Sequence, residues 1–313
     1  MDNNDNNLVN IEEATQEMVT VRDFIRWGTS LFNEHELIYG HGTDNAWDEA
    51  MNLVLTSLHL PPDIDTTVLD AKLAAREKKL IAYRIKRRVE EHIPVPYLVN
   101  EAWFAGLNFY VDERVLIPRS PIAELLEVSF RPWVEEGSIQ SVLDLCTGSG
   151  CIAVSAAFTF PDAEIDAVDI NEDALSVAKI NVDRFGLEDN VHLIQSDLFE
   201  GLENKTYDLI ISNPPYVGQM EYDALQAEYQ REPKLALLCG EEGLEIVSRI
   251  LAQALSHLTP TGILVVEVGF TQERLEQKFP GVPFTWLQFE QGGEGVFLLT
   301  AQELKEYQLQ LAS

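Results

Sequence analysis

The sequence predicts an α/β fold in which a small all-helical domain precedes a seven-stranded, mostly parallel sheet. Three observations lead to this prediction. Apolar residues recur at helical spacing over residues 1–95, and the pattern changes to that of short strands over residues 96–118. From Ser141 onward, short apolar runs alternate with helical patterns, which is typical of a parallel sheet covered by helices on both faces.

Residues 1–95 are assigned to a helical substrate-recognition domain, and a purely stabilising appendage is the alternative. Their apolar spacing predicts three helices, at about residues 11–32, 44–58 and 67–91, with Asp44 as the N-cap of the second. The third helix is expected to carry its basic residues on its outer face. Residues 1–10 are rich in Asn and Asp, and this composition predicts disorder.

A β-hairpin is predicted to link the two domains over residues 96–118. The run from Trp103 to Val111 is rich in aromatic and apolar residues, and Gly106 begins a stretch that could form the turn. Aromatic residues on such a linker could line a substrate cleft or pack between the domains. The linker is followed by Ser120 and Pro121, which predict the start of a helix as its N-cap and first residue.

The alternating pattern occupies the third predicted region, residues 119–313. Strands are predicted at residues 141–146, 164–169, 191–195, 207–212, 262–269, 283–289 and 295–300. Helices are predicted at residues 150–159, 171–185, 241–257 and 271–279. Because the last two strands are separated only by Gln291–Glu294, too short for a crossover helix, we expect an antiparallel pair at one edge.

The composition indicates which class of partner the protein binds and in which cellular compartment it works. The formal net charge is −30, a field that repels nucleic acid phosphates and favours basic partners, although residues 72–88 are basic. We therefore expect no requirement for direct nucleic acid contact. The three cysteines show no Cys-x-x-Cys spacing, which predicts reduced thiols in a cytoplasmic protein without a zinc site. No stretch approaches the roughly 18–20 apolar residues that span a bilayer, so no membrane partner is expected.

A strand, a turn of small residues and a helix start follow one another between Val142 and Ala153. Gly148 and Gly150 let the backbone approach a ligand closely, and the following helix N-terminus offers free N–H groups to an anion. Nineteen residues after Gly150, Asp169 ends the next strand, where an acid can accept both hydroxyls of a ribose. The stretch predicts a ligand of adenosine type, and its Gly-x-Gly-x-x-Ala pattern keeps NAD open as the alternative.

A third acid, Asp197, follows the third strand of the predicted sheet. There it can accept a hydrogen bond from an adenine amino group, while Leu198 or Phe199 covers the ring. A surface loop acid is the alternative. Because open parallel sheets bind ligands beyond the carboxyl ends of their strands, these acids and glycines are expected to meet at one edge.

The fourth strand ends at the motif Asn213-Pro214-Pro215-Tyr216. Neither proline has an N–H for the ladder, so a stiff turn must follow the strand. A planar group carrying N–H donors could be held there by the Asn213 side-chain oxygen and the Pro214 carbonyl, with Tyr216 covering its face. The motif thus predicts a receptor for an amide or amino group.

Taken together, the glycine turn, the two acids and the Asn-Pro-Pro-Tyr motif resemble the Rossmann-like, class I S-adenosylmethionine-dependent methyltransferases. Asn-Pro-Pro-Tyr after the fourth strand resembles the branch that methylates planar nitrogens. The order of parts over about residues 12–301 is similar to that of the protein N5-glutamine methyltransferases. The resemblance implies cofactor contacts from Asp144, Cys146, Thr147, Gly148, Ser149, Gly150, Asp169, Asp197, Leu198 and Asn213. It implies substrate contacts from Phe104, Asn213, Pro214, Pro215 and Tyr216.

Two departures from the family pattern concern the choice of substrate. The enzymes that act on peptide chain release factors usually have glycine where this chain has Cys146, and an Arg-Pro-acid-Thr-Glu-like run where it has Arg119-Ser120-Pro121. Both departures resemble the branch that methylates ribosomal protein three of the large subunit. The resemblance therefore implies a basic ribosomal protein as the partner during ribosome assembly, with release factors as the alternative.

The chemical hypothesis is transfer of a methyl group from S-adenosylmethionine to the side-chain nitrogen of a glutamine. Asn213 and Pro214 would accept the two amide hydrogens and Tyr216 would stack on the amide plane. Three rivals remain: a nucleic acid adenine or cytosine N-methyltransferase, an NAD-linked oxidoreductase and a non-enzymatic binder in ribosome assembly. The acidic field argues against the first, and the second leaves the Asn-Pro-Pro-Tyr motif without a role. The third would require a vestigial cofactor site.

Overall fold

The computed structural model describes residues 9–135 and 137–311, and the chain divides into two compact units. The first unit comprises the first 101 residues together with Gln226–Arg231, and the second comprises Ala102–Leu225 and Glu232–Ser313. Of the predicted hairpin at residues 96–118, residues 102–118 lie in the second unit, whereas residues 96–101 lie in the first. A short segment downstream of the Asn-Pro-Pro-Tyr motif lies in the first.

The first unit is helical, as predicted, but its helices are shorter and more numerous. They are α1 (Ile11–Glu17), α2 (Val21–Glu34), α3 (Ala46–Ser57), α4 (Ala75–Glu91) and α5 (Val95–Val99), with a 3-10 helix at Thr66–Asp70. The predicted first helix breaks because Thr20 caps α2: its hydroxyl accepts from the Asp23 backbone, and the Asp23 carboxylate accepts from the Thr20 backbone.

The amino-terminal end of the described chain is ordered. Residues 1–8 of the segment predicted to be disordered lie outside the described residues, whereas Val9 is buried. Asn10 caps α1 by accepting a hydrogen bond from the Glu13 backbone at 3.1 Å. The prediction of disorder is therefore wrong for Val9 and Asn10.

One basic residue of helix α4, Arg88, departs from the predicted outward orientation. Arg88 is fully buried in the first unit. Its guanidinium donates to Glu49 at 3.1 Å, to Glu228 at 3.1 Å and to the Ile38 carbonyl at 2.8 Å. The segment Gln226–Arg231 is thus held in this unit by a buried ion pair, a contact between residues 140 positions apart.

The second unit contains a two-stranded hairpin and a seven-stranded sheet. The hairpin pairs β1 (Ala102–Phe104) with β2 (Leu107–Phe109). The sheet contains β3 (Ser141–Leu145), β4 (Glu164–Asp169), β5 (Val191–Gln195), β6 (Tyr207–Ser212), β7 (Leu258–Glu267), β8 (Thr285–Trp286) and β9 (Val296–Thr300). The strand order is β5-β4-β3-β6-β7-β9-β8.

Strand directions confirm the predicted topology. Strands β3 to β7 are parallel to one another, and β9 is antiparallel to both β7 and β8, so the antiparallel pair forms one edge. The chain runs from β3 outward to β5 and then returns to β6 on the other side of β3. Ligands bind beyond the carboxyl ends of the strands at such a reversal point.

Helices surround the sheet, and apolar residues form two buried clusters in this unit. The helices are α6 (Ile122–Glu127), α7 (Cys151–Thr159), α8 (Glu172–Phe185), α9 (Gln219–Asp223), α10 (Lys234–Leu237), α11 (Glu245–Gln253), α12 (Gln272–Lys278), α13 (Ala301–Glu306) and α14 (Gln308–Leu311). One cluster includes Ile152 of α7 and the other includes Ile250 of α11. The sheet is therefore buried on both faces, as its near-continuous apolar strands require.

The largest differences from the predicted boundaries in the second unit concern two strands and one helix. Strand β7 begins at Leu258, before the predicted residue 262, because the ladder accommodates Pro260 through a shift in register between Tyr207 and Leu209. The predicted strand 283–289 is reduced to Thr285–Trp286. The predicted helix 241–257 begins only at Glu245.

Replacing Arg88 by Leu should destabilise the first unit strongly. The substitution leaves the carboxylates of Glu49 and Glu228 buried without their cation, and breaking a buried pair in this way typically costs about 3–5 kcal/mol. The matched control is Arg87→Leu, which removes an exposed i,i+4 pair with Glu91 worth roughly 0.3–0.5 kcal/mol. Thermal unfolding checks this, and equal decreases in Tm for the two variants would contradict the buried network.

Candidate active site

A cavity of about 300 Å³ lies at the carboxyl ends of the parallel strands in the second unit. Its wall is formed by residues at or directly after the carboxyl ends of β3, β4, β5 and β6. Residues from two further segments, 114–120 and 233–249, complete it. Of the residues predicted to contact ligands, it is lined by Cys146, Thr147, Gly148, Ser149, Asp169, Asp197, Leu198, Asn213 and Pro215. Residues from four separate strand ends are thus brought to one site.

The turn after β3 requires unusual backbone geometry. Cys146, Gly148 and Gly150 have φ values of +61°, +56° and +78°, in the left-handed region that favours glycine. A Cβ on Gly150 would also lie 3.1 Å from the Ala178 side chain, so helix α8 leaves no room there. Cys146 therefore holds a conformation that is strained for a residue with a side chain.

Asp144 braces this turn from beneath and does not line the cavity. Its side chain is fully buried, and one carboxylate oxygen accepts from the Thr147 hydroxyl at 2.5 Å and from the Ala153 backbone at 3.1 Å. The other oxygen has no partner among the described residues. Burial raises the pKa of Asp144 to about 7, so the carboxyl is partly protonated near neutral pH. The structure thus assigns a supporting role to a predicted cofactor contact.

Asp169 lies at the end of β4 and faces the cavity. Its two oxygens accept from the backbone N–H groups of Gly148 and Asn171, each at 2.9 Å. Burial raises the pKa of Asp169, while these backbone donors favour the charged form. The carboxylate is therefore fixed beside the glycine turn, and its remaining lone pairs can accept hydroxyl groups of a ligand.

Asp197 has a partner that the sequence did not reveal. Arg249 of α11 lies 2.9 Å from the Asp197 carboxylate, and both residues line the cavity. Leu198, beside it, is buried with a φ of +50°, a second strained position in the wall. The pair orients Asp197 and leaves its second oxygen available to a donor on a ligand.

The Asn-Pro-Pro-Tyr motif divides into parts with different surroundings. Asn213 lines the cavity, and its side chain forms no hydrogen bond with another residue in the described part of the chain. Pro215 also lines the cavity, whereas Pro214 is buried. The end of β6 is tied to β3 because the Ser212 hydroxyl donates to the Leu145 carbonyl at 2.8 Å. The Asn213 amide is thus held at the cavity with its hydrogen-bonding groups open.

Tyr216 follows Pro215 in the chain but does not itself line the cavity. Its hydroxyl donates to the Glu267 carboxylate at 3.0 Å, and Phe270 packs edge-on against its ring with centroids 5.8 Å apart. Burial and the neighbouring Glu267 raise the pKa of Tyr216, so its hydroxyl stays protonated. Glu267 was visible in the sequence only as an acid within an apolar run and was not predicted to belong to the site.

Three predicted substrate contacts, Phe104, Pro214 and Tyr216, do not line the cavity. Phe104 lies on the hairpin. It is buried on the inner face of the hairpin, packed against Phe109 with ring centroids 6.4 Å apart. It does not line the cavity. The alternation of the short strand explains this, because Phe104 and Ala102 face inward while Trp103 between them is exposed.

Two further observations concern the whole described chain. In residues 9–135 and 137–311, no group of three or more His, Cys, Asp or Glu side chains is arranged to hold a metal ion. None of the helices described here has both the length and the apolar content to cross a membrane.

Replacing Cys146 by glycine should give a more stable protein than replacing it by alanine. Relief of the left-handed conformation is worth roughly 1–2 kcal/mol, whereas alanine keeps the strain at φ +61° and loses the sulfur packing. Thermal unfolding of the two variants measures the order. An alanine variant more stable than the glycine variant, the usual order elsewhere, would contradict the strain.

Replacing Asp144 by Asn should change the pH dependence of stability. With its pKa raised to about 7 from an ordinary 3.8, the folded state binds one more proton than the unfolded state between these values. The stability due to that proton is complete below about pH 4 and is lost as the pH rises through about 7. Relative to Asp144→Asn, the wild type should lose up to about 1.4 kcal/mol per pH unit in that window. Urea unfolding at a series of pH values tests this, and parallel curves would contradict it.

Comparison of the sequence with known proteins identifies relatives of this chain. The model of the family called Methyltransferase small domain matches residues 131–230. A ribosomal protein uL3 glutamine methyltransferase of Neisseria gonorrhoeae is 51% identical over 93% of this chain and 98% of its own length. An enzyme of the same name from Neisseria meningitidis serogroup B is 52% identical over 93% of this chain and 96% of its own. Since half of the residues agree over nearly the full length of these enzymes, the chain belongs to the family of ribosomal protein uL3 glutamine methyltransferases.

Proposed function

We propose that this protein transfers a methyl group from S-adenosylmethionine to the side-chain nitrogen of a glutamine in ribosomal protein uL3. The observation that carries the proposal is the open Asn213 amide at the edge of a cavity that also contains the carboxylates of Asp169 and Asp197. One cavity thus combines acceptors suited to an adenosine with an acceptor suited to an amide.

The donor and acceptor groups of the cavity fit S-adenosylmethionine. Asp169 would hold the ribose hydroxyls, and Asp197 would accept from the adenine amino group. The apolar side chains of Ile170 and Leu198, which both line the cavity, would cover the ring. A Cβ on Gly148 would meet no atom within 4 Å, so open space lies beside its backbone for a ligand. When bound, the cofactor supplies a methyl group activated by a positively charged sulfur.

The chain's own task is to make an amide nitrogen reactive. Its lone pair is delocalised into the carbonyl, so the nitrogen must be held with that lone pair directed at the methyl carbon. The Asn213 side-chain oxygen and the Pro214 carbonyl accept the two amide hydrogens, and the Tyr216 ring covers the amide plane. Transfer would form the nitrogen–carbon bond as the carbon–sulfur bond breaks, with the bonding electron pair left on sulfur, and the methylated nitrogen would then lose one of its protons to solvent. Orientation of this kind is worth several kcal/mol, and acceptors facing the growing positive charge add more.

Charge supports a basic protein substrate. The net charge of −30 attracts a positively charged partner and speeds encounter. The helical first unit recognises that partner, and the reaction takes place in the cytoplasm, where the three free cysteines stay reduced. Direct nucleic acid contact is not required.

Replacing Asn213 by Ala should lower turnover by about 10²-fold or more, the effect of losing one hydrogen bond made in the transition state. Binding of S-adenosylmethionine, measured by calorimetry, should change little. The matched control is Asn190→Ala, because Asn190 lies in the turn before β5, at the opposite end of the parallel strands from Asn213. This variant should keep full turnover. Full activity of the Asn213 variant would refute the assigned role.

A labelling experiment tests the substrate. Purified uL3, a release factor and RNA are each incubated with the enzyme and methyl-labelled S-adenosylmethionine, and labelled residues are mapped by tandem mass spectrometry. Label on a glutamine of uL3 is expected. Label on a glutamine of the release factor alone would support the proposed chemistry but refute uL3 as the substrate. Label on RNA alone would refute the proposal that the methyl acceptor is an amide.

A further inference from the structure

A buried carboxylate outside the predicted site lies directly behind the Asn-Pro-Pro-Tyr motif. Glu267 ends β7 and is 5% exposed. The mechanism above makes no use of it. Because a buried acid is costly unless its oxygens are hydrogen-bonded, its partners indicate what it does.

Each oxygen of Glu267 has one hydroxyl partner. Oε1 accepts from the Tyr216 hydroxyl at 3.0 Å, and Oε2 accepts from the Ser120 hydroxyl at 2.5 Å. The Ser120 oxygen in turn accepts from the Ile122 backbone at 3.2 Å, at the start of α6. With both oxygens bound to different elements, the carboxylate cannot rotate, and it fixes the position of the Tyr216 hydroxyl.

The Tyr216 ring is also enclosed by the backbone around it. A Cβ on Gly269 would lie 2.8 Å from ring atom Cε2, so the backbone of Gly269 packs directly against the ring. Phe270 packs edge-on against the same ring, with an interplanar angle of 84°. Contact with Gly269 and Phe270 limits translation of the ring, and the hydrogen bond to Glu267 fixes its hydroxyl end.

We propose that Glu267 is a positioning residue that holds the Tyr216 ring in the orientation in which it covers the substrate amide. The inference rests on the proposed function, because the ring has this role only if an amide is the acceptor. It also gives a physical role to Ser120 in the run Arg119-Ser120-Pro121, because Ser120 holds the second oxygen of the same carboxylate.

The proposal predicts a specific kinetic pattern for Glu267→Leu, which removes the acceptor with little change of volume. Its kcat should fall about 10- to 100-fold, the scale on which a small misplacement lowers rates, while the Kd for S-adenosylmethionine stays unchanged. Tyr216→Phe should lose a similar factor, although the ring remains. Glu267→Gln should recover most of the activity, because its amide oxygen can still accept from the Tyr216 hydroxyl.

The decisive comparison is the double variant Glu267→Leu with Tyr216→Phe. If the two residues act through one hydrogen bond, its kcat should be no lower than that of the worse single variant. Independent losses that multiply would overturn the proposal, as would unchanged kcat in either single variant. Thermal unfolding and cofactor binding verify that each variant is folded.

The second unit offers a matched control. Tyr207 donates to the buried Asp166 at 2.6 Å, a tyrosine–carboxylate pair in the same sheet that does not line the cavity. Tyr207→Phe should lower stability and leave kcat within about 2-fold, a change of about 0.4 kcal/mol in the barrier, because neither residue of this pair lines the cavity. Failure of the wild type to methylate any glutamine would refute the proposed function, and the positioning role would fall with it. Wild-type transfer with unaffected Glu267 variants would refute the positioning role alone.

Discussion

The pairing of β3 with β6 is the constraint on which the site depends. Leu145 and Ser212 are partners in the parallel ladder, and the Ser212 hydroxyl donates to the Leu145 carbonyl. The next residue on one strand is Cys146, which begins the glycine turn, and on the other it is Asn213. A shift of one residue in this register would reverse the facing of every side chain on β6 and separate the Asn213 amide from the glycine turn.

Local strain and buried charge accompany this arrangement. Cys146 and Leu198 hold left-handed conformations in the cavity wall. Burial raises the pKa values of Asp144, Asp169 and Glu267, all at or beneath the same sheet edge. Each of these features lowers stability by itself, and such features gather at functional sites because the surrounding sheet can sustain them.

The sequence predicted what depends on local pattern. The bounds of β4, β5 and β6 agree with the prediction to the residue, because each strand is a short run bounded by turn residues. Asp169, Asp197 and Asn213 were selected because they lie at or just after the end of a strand, and all three line the cavity. The family resemblance added further residues, and nine of the full set line the cavity.

Contacts between distant residues could not be predicted in this way. The pair of Asp197 with Arg249, the link from Tyr216 to Glu267 and the burial of Arg88 each join elements far apart in the chain. Their side chains are ordinary for their positions, so no spacing or composition marks them. Phe104 is the opposite case, a residue that was predicted to contact the substrate and does not line the cavity. The sequence alone does not show which face of its strand an aromatic residue occupies.

The most direct measurement is a crystal structure of the protein with S-adenosylhomocysteine and a glutamine-containing peptide of uL3. The account predicts the glutamine nitrogen at about 2.7–3.2 Å from the Asn213 side-chain oxygen, with the Pro214 carbonyl on its second hydrogen and the Tyr216 ring over the amide. A peptide bound with its glutamine away from Asn213, or a cofactor analogue outside the Asp169–Asp197 cavity, would contradict it.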